Sequence, residues 1–377
     1  MSGMILTGAD VVTPGGIAQG LSVRIEGGRI AAVEAAGPGA SLDLGGGWLL
    51  PGFIDTQVNG GGGVLFNDTP DVETIARIAQ AHRRHGTTGL LPTFISDDLA
   101  RVAQAMDAVE EAIAQGVPGV LGIHIEGPFI SVERRGIHAA RFMRPLDEEA
   151  MAVLTRPGRG RRLVTLAPEC VPPGAIRALR EAGVIVAAGH SMADYAATRR
   201  ALGEGLCGFT HLFNAMTPFG SREPGMVGAA LEDRQSRFGI IVDGHHVHPA
   251  SLRVALAARG LDGAMLVTDA MPPAGTAMTQ FDLQGRTIYV RDGALRSEDG
   301  TLAGADLTMD GALRNAMTML ALPMADASRL ASGNAAAFLG LQGETGAIRP
   351  GLAADLVHLG PDLQVRRVWI AGEEAAI

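Results

Sequence analysis

The chain has 377 residues, a length that suits one large barrel-sized domain plus a minor one rather than a single small core. Hydrophobic residues make up 47% and charged residues 19%, which excludes a disordered chain. A formal net charge of −9 leaves no electrostatic footprint for nucleic acid or an anionic membrane.

The first 48 residues read as short strands at 4–12, 21–26 and 29–35, with Gly27-Gly28 as a hairpin signal. Residues 345–377 read the same way, with runs at 355–359 and 365–371. Neither end can make a stable sheet alone. Together they are expected to form one small β-sandwich domain built from both termini. Residues 49–344 differ. Eight apolar runs, at 49–55, 87–94, 120–126, 163–168, 184–190, 208–213, 238–243 and 264–269, alternate with helix-like stretches such as 72–85, 99–115 and 193–202. Near-continuous apolar strands alternating with helices indicate a parallel sheet covered on both faces, and eight units match an α/β fold of the (β/α)8 TIM-like barrel type. An open doubly wound sheet would carry an early Gly-rich dinucleotide fingerprint, which is absent. Beyond the eighth run, short β-like runs at 281–283, 287–291 and 294–297 predict a β insertion around 276–300 near the barrel mouth. Residues 308–320 then resume as the last helix.

Cys170 and Cys207, far apart, predict no disulfide framework. No apolar run approaches the roughly 18 residues of a membrane span, and the first residues lack the pattern of a secretion signal. The expectation is a cytoplasmic protein that engages neither membrane nor nucleic acid.

Metal-competent side chains stand at the C-terminal ends of the apolar runs. Asp55, Gln57 and Asn59 end the first, and His124 and Glu126 the third. His190 ends the fifth, His211 lies in the sixth and Asp269 ends the eighth. In a barrel these ends converge on one face, where active sites are built. Taken singly, a histidine there reads as a hydrogen-bonded structural residue. A buried glutamate needs a partner or a metal. Glu, His, His and Asp at four converging ends point to three protein ligands with an open position, the pattern of catalytic zinc. His245, His246 and His248 follow the seventh run, as a solvated loop or as substrate contacts. Arg222 reads as a surface residue or an anion clamp. His138, in the loop after Arg134-Arg135, stays open between a loop residue and a site residue. His124 should face the barrel interior one layer below Glu126, as a core or supporting residue.

The ordered motifs Pro51-Gly-Phe-Ile-Asp55, His124-Ile-Glu-Gly-Pro-Phe129, Ala188-Gly-His-Ser191, Thr210-His-Leu-Phe-Asn-Ala-Met216, Arg222-Glu-Pro-Gly225, Asp243-Gly-His-His-Val247, Val267-Thr-Asp-Ala270 and Gly351-Leu-Ala-Ala-Asp355 span nearly the whole chain. With them, the sequence resembles the N-acetylglucosamine-6-phosphate deacetylases of the amidohydrolase superfamily. The resemblance implies a barrel plus a β-sandwich from both termini. It implies metal-dependent hydrolysis of N-acetyl-D-glucosamine 6-phosphate to D-glucosamine 6-phosphate and acetate, in amino-sugar catabolism or cell-wall recycling. Glu126, His190 and His211 would hold one divalent metal, Zn²⁺ or Fe²⁺. Asp269 would be general base and then acid, and His138 would polarise the acetyl carbonyl. Ile137, Asn214, Ala215, Arg222, Asp243, His246, Leu302, Ala303 and Gly304 would contact the amino-sugar phosphate. It also implies a homodimer, in which a partner's loop completes the phosphate site. One departure stands out. Many amidohydrolases carry His-x-His after the first strand, whereas this chain has Gln57 and Asn59, vestigial second-metal positions whose neutral amides are poor transition-metal ligands. The alternatives are a deacetylase for the galactosamine epimer and a non-catalytic sugar-phosphate binder on the same scaffold.

Overall fold

The computed structural model describes residues 3–37 and 41–377; residues 1, 2 and 38–40, part of the segment read as N-terminal strands, lie outside the described residues. Eight strands form one parallel sheet: β1 (Phe53–Val58), β2 (Thr87–Ile95), β3 (Gly122–Glu126), β4 (Arg161–Leu166), β5 (Ile185–Ala188), β6 (Gly208–Phe209), β7 (Arg237–Ile240) and β8 (Ala264–Leu266). Each pairs in parallel with the next in chain order. The ends meet through a parallel bridge between Val58 and Ala270 and a 3.0 Å hydrogen bond from Asp269 N–H to the Gln57 carbonyl. That closure makes a barrel. It also sets Gln57 and Asn59 beside Asp269, 212 and 210 residues further along the chain.

The strands are near-continuous apolar runs because both faces are covered, the inner by the opposite wall and the outer by helices. All nine residues of β2 are buried. Helices α1 (Val72–Arg83) and α2 (Leu99–Ala114) bury Ile75, Ile78 and Ala79, and Val102, Ala105 and Val109. Asp71 caps α1 by accepting from Thr74 N–H at 2.8 Å, satisfying one of the free amides of the first turn. Helices α3 (Glu148–Leu154), α4 (Ala175–Glu181), α5 (Tyr195–Gly203), α6 (Gly225–Glu232), α7 (Pro249–Arg259) and α8 (Met309–Met319) continue the outer layer. Two further helices, α9 (Met324–Ala331) and α10 (Gly333–Phe338), extend beyond the 308–320 helix that the periodicity predicts as the last. Phe338 packs with Ile54, Leu91, Leu163, Ile185 and Met265, so α10 plugs the N-terminal end of the barrel.

Strands from both chain ends share a sheet: Trp48–Pro51 pairs antiparallel with Leu356–Leu359 and parallel with Asp10–Thr13. A second sheet of Met4–Thr7, Leu21–Glu26, Arg29–Ala35 and Leu42–Asp43 lies against it. Leu6, Val23, Ile30, Leu49, Leu356 and Trp369 fill the space between. The apolar run at 49–55 is therefore two strands. Its first half belongs to this sandwich and its second half opens the barrel, with Gly52 at the joint, where a Cβ would run into the Thr88 side chain.

The insertion is a four-stranded antiparallel sheet: β9 (Gln280–Leu283), β10 (Arg286–Arg291), β11 (Ala294–Ser297) and β12 (Leu302–Ala305). The fourth strand extends it past the predicted limit of 300. Ala305 exchanges backbone hydrogen bonds with Asp269 (2.9 Å) and Met271 (3.0 Å), so the insertion is stitched to the chain just beyond β8.

Candidate active site

Strands β5, β6 and β8 stop short of the runs read from the sequence. His190, His211 and Asp269 lie just past them rather than within them, with φ of 49°, 35° and 52°. Left-handed backbone at a non-glycine residue is uncommon and costs about 1–3 kcal/mol. Here it ends each strand and turns the side chain over the barrel mouth. Glu126 is the last residue of β3 and needs no such turn.

Three ligand atoms converge. His190 Nε2 lies 3.2 Å and His211 Nε2 3.1 Å from Glu126 Oε1, and the two nitrogens are 3.0 Å apart. A tetrahedral centre with arms of about 2.0–2.1 Å has edges of about 3.3 Å, so this triangle fits a zinc-sized cation with one face left free. His190 Nδ1 donates to the Arg134 carbonyl at 2.8 Å, which leaves Nε2 its lone pair for a metal. Burial alone would raise the Glu126 carboxyl, but the hydrogen bonds and charges of His190 and His211 hold it well below the usual range. The Glu126 charge in turn raises His211, against its burial. A fourth group stands close: Glu126, His138 and His190 also offer ligand atoms within 4.8 Å of one another. His211 completes the tighter triangle, and His138 is engaged elsewhere through Nδ1, which lies 2.8 Å from Ser96 Oγ.

Gln57 and Asn59 sit between the carboxylates. Gln57 Nε2 donates to both Glu126 oxygens at 3.2 Å and to Asp269 Oδ1 at 3.1 Å, and Asn59 Nδ2 donates to Asp269 Oδ1 at 2.6 Å. The amides present N–H groups where a second cation would need lone pairs. Asp269 is 9% exposed. Burial, and then the Glu126 charge, push it up to about 6, opposed by His211, His246 and the Asn59 hydrogen bond. A carboxyl near neutrality can both take and give a proton.

A cleft of about 310 Å³ opens above these groups. Among the expected substrate contacts, Ile137, Asn214, Ala215, His246, Leu302 and Gly304 line it, with His138 and Asn59. Gly304 (φ 65°) must be glycine, because a Cβ there would come within 2.7 Å of the Asp269 carbonyl. Three expected contacts are placed elsewhere. Asp243 turns to its own loop, accepting from His245 N–H, His246 N–H and His246 Nδ1 at 2.6–2.9 Å; it stands behind His246 instead of facing the cleft. Ala303 is fully buried in the core beneath the insertion. Arg222 is exposed on the loop before α6 and does not line the cleft. Conversely, Ile95, Glu133, Arg134, Gly136, Met271 and Thr301 line it without having been singled out. Ile95, Gly136, Met271 and Thr301 carry no chemical signature in sequence, while Glu133 and Arg134 are charged but sit in a loop whose place over the cleft appears only in the fold. His124 faces the interior as expected, between Thr93 Oγ1 at 3.2 Å and Thr165 Oγ1 at 2.7 Å, and burial lowers it to about 4, so it is neutral.

The profile of the amidohydrolase family matches residues 48–375. An N-acetylgalactosamine-6-phosphate deacetylase of Shewanella sp. (strain ANA-3) is 43% identical over 98% of this chain and 95% of its own. The crystal structure of N-acetylglucosamine-6-phosphate deacetylase from Pasteurella multocida, 33% identical, superposes with a TM-score of 0.96 over 100% of both chains. The Mycobacterium smegmatis N-acetyl-D-glucosamine-6-phosphate deacetylase, 35% identical, superposes with a TM-score of 0.91 over 99% of both chains; it was solved as an aspartate-to-alanine mutant in complex with N-acetyl-D-glucosamine-6-phosphate.

Proposed function

The chain belongs to the amidohydrolase family, and from that premise we propose that it removes the acetyl group of N-acetyl-D-glucosamine 6-phosphate, releasing acetate and D-glucosamine 6-phosphate. The observation that carries this reading is the juxtaposition of the Glu126–His190–His211 triangle with a raised, buried Asp269 under one cleft. A binding protein needs the cleft but has no use for a buried carboxyl held by Asn59 and Gln57 beside the ligand triangle.

Glu126, His190 and His211 would hold one divalent metal, Zn²⁺ or Fe²⁺ by their donor chemistry. When bound, such a cation supplies Lewis acidity and makes water a nucleophile near neutral pH. The chain's own residues do the rest. Asp269, fixed by Asn59 and Gln57, takes the proton of the attacking water and passes it to the departing amine. His138 donates from Nε2 to the carbonyl oxygen as charge builds there; comparable donors elsewhere contribute about 3 kcal/mol. Ile95, Ile137 and Met271 give the cleft an apolar wall suited to the acetyl methyl. His246 contacts the phosphorylated end, its ring held by the 2.6 Å bond to Asp243. Arg222 adds a second phosphate contact from a partner subunit, since in its own chain it lies off the cleft. Anchoring that remote end would hold the acetamide beside Asp269 and the Glu126–His190–His211 triangle, so binding energy serves the chemical step.

A second reading has a specific observation behind it: the 43% identical Shewanella relative acts on the galactosamine epimer. The two sugars differ in one hydroxyl. Acetate release from both N-acetylhexosamine 6-phosphates separates the readings. A kcat/KM for the glucosamine compound at least tenfold above that for the galactosamine compound supports the first, and the reverse ratio supports the second.

A further inference from the structure

Given the role read above for His138, we propose that Ser96 and Gln284 are positioning residues for its imidazole: the Ser96 hydroxyl fixes the tautomer that presents Nε2–H to the cleft, and Gln284 clamps the two segments that hold the ring. Neither residue touches the space for substrate, and both act through His138.

Ser96 follows β2 and is fully buried. Its Oγ lies 2.8 Å from His138 Nδ1 and 3.4 Å from the Glu126 carbonyl. A hydroxyl has one proton. Given to the Glu126 carbonyl at 3.4 Å, it would make Nδ1–H the donor to Oγ; we assign it instead to the shorter contact, because 3.4 Å is at the limit of a hydrogen bond. Nδ1 is then the acceptor, and the ring's own proton sits on Nε2, the nitrogen left to face a carbonyl oxygen. The opposite tautomer would present a lone pair to a developing negative charge. The chain leaves room for this hydroxyl: Gly127 (φ 81°) stands where a Cβ would collide with Ser96 Oγ.

Gln284 bridges the same two segments. Its Nε2 donates to the Ser96 carbonyl at 2.7 Å, and its Oε1 accepts from Ala139 N–H at 3.0 Å. One side chain thus ties the residue after β2 to the residue after His138. Gln284 sits at the tip of the β9–β10 hairpin with φ of 51°, followed by Gly285 at 89°. Two left-handed residues in sequence match the tight hairpin turn that suits twisted strands. The hairpin tip therefore reaches down to the His138 loop, and β12 of the same insertion carries the cleft residues Leu302 and Gly304. One inserted sheet sets both the substrate wall and the carbonyl-polarising ring.

The test is a double-mutant cycle with a spectroscopic arm on the full chain loaded with Zn²⁺. Ser96→Ala is expected to lower kcat for acetate release by about tenfold to a hundredfold, with KM and bound metal unchanged. Gln284→Ala is expected to lower it by about threefold to tenfold. In a His138→Ala background both losses should shrink below twofold, because the ring they orient is gone. Equal losses in the two backgrounds, or wild-type kcat in Ser96→Ala, overturn the proposal. Independently of turnover, the ring-nitrogen shifts of ¹⁵N-histidine-labelled protein, with His138 assigned by its loss in His138→Ala, should show the Nε2–H tautomer and a mixed state in Ser96→Ala. An Nδ1–H tautomer in the unsubstituted protein contradicts the proposal even if the deacetylase reading stands. A correct tautomer with no acetate release contradicts that reading alone.

Discussion

In the proposed mechanism Asp269 carries the proton transfer. Its left-handed backbone aims it at the cleft, Asn59 and Gln57 hold one oxygen, and burial with the Glu126 charge lifts it to about 6. As base it must be ionised, so kcat/KM should fall at acid pH, with a limb centred no higher than about 6, since a cation beside it can only lower that value. Asp269→Asn should keep metal and substrate binding, remove the limb, and cut kcat by about 10²- to 10⁴-fold. Near-normal turnover in that variant would remove Asp269 from its role. The set Glu126, His190, His211 and Asp269 was legible in the sequence because each is a polar interruption at the end of an apolar run. Ser96 and Gln284 were not, because a serine after a strand and a glutamine in a Gln-Gly turn carry no metal or proton-transfer signal. Their meaning exists only once the insertion has folded over the third-strand loop. Asp243 reads as a site residue for the opposite reason: its position is right, and only three hydrogen bonds to its own loop show that it points away.

Among the elements, closure of the helical layer matters as much as closure of the sheet. Asp310, in the first turn of α8, accepts from Arg314 at 2.9 Å and Thr308 Oγ1 at 2.6 Å and faces His85 Nδ1 at 3.2 Å, just beyond α1. Burial would raise this carboxyl, but His85, Thr308 and Arg314 hold it at about 2. A depressed folded-state value means stability that is present above the ordinary aspartate range and lost as pH falls toward 2. Asp310→Asn should therefore be less stable by about 2 kcal/mol at pH 7, with the gap narrowing to roughly half at pH 3. Equilibrium urea unfolding at both pH values checks this; a gap that widens on acidification would refute it. The alternation of strands and helices announced the barrel plainly. The split of the 49–55 run was hidden, since residues 49–51 and 53–54 are equally apolar and only their partners differ. Strand β12 was hidden too, because Leu-Ala-Gly-Ala has little β propensity and pairs through tertiary context.

At the scale of the whole molecule, the terminal sandwich and the barrel share the strand junction at Gly52, and the inserted sheet caps the mouth where the cleft opens. Arg222, one of the expected substrate contacts, does not line the cleft of its own chain. If it serves a partner's cleft, Arg222→Ala should raise KM for N-acetylglucosamine 6-phosphate by about tenfold to a hundredfold and leave unphosphorylated N-acetylglucosamine unaffected. Equal effects on both sugars would take Arg222 out of phosphate recognition. The most direct measurement uses metal-depleted protein titrated with Zn²⁺ in the presence of N-acetylglucosamine 6-phosphate and its galactosamine epimer, following acetate and free amine together. Glu126, His190 and His211 as the sole metal site, with Gln57 and Asn59 filling the second position, predict equimolar acetate and amine from at least one of the two sugars and full activity at about one Zn²⁺ per chain. Sugar phosphate that binds but yields no acetate at any metal loading would contradict a deacetylase, and activity that appears only at two Zn²⁺ per chain would contradict the single-metal site.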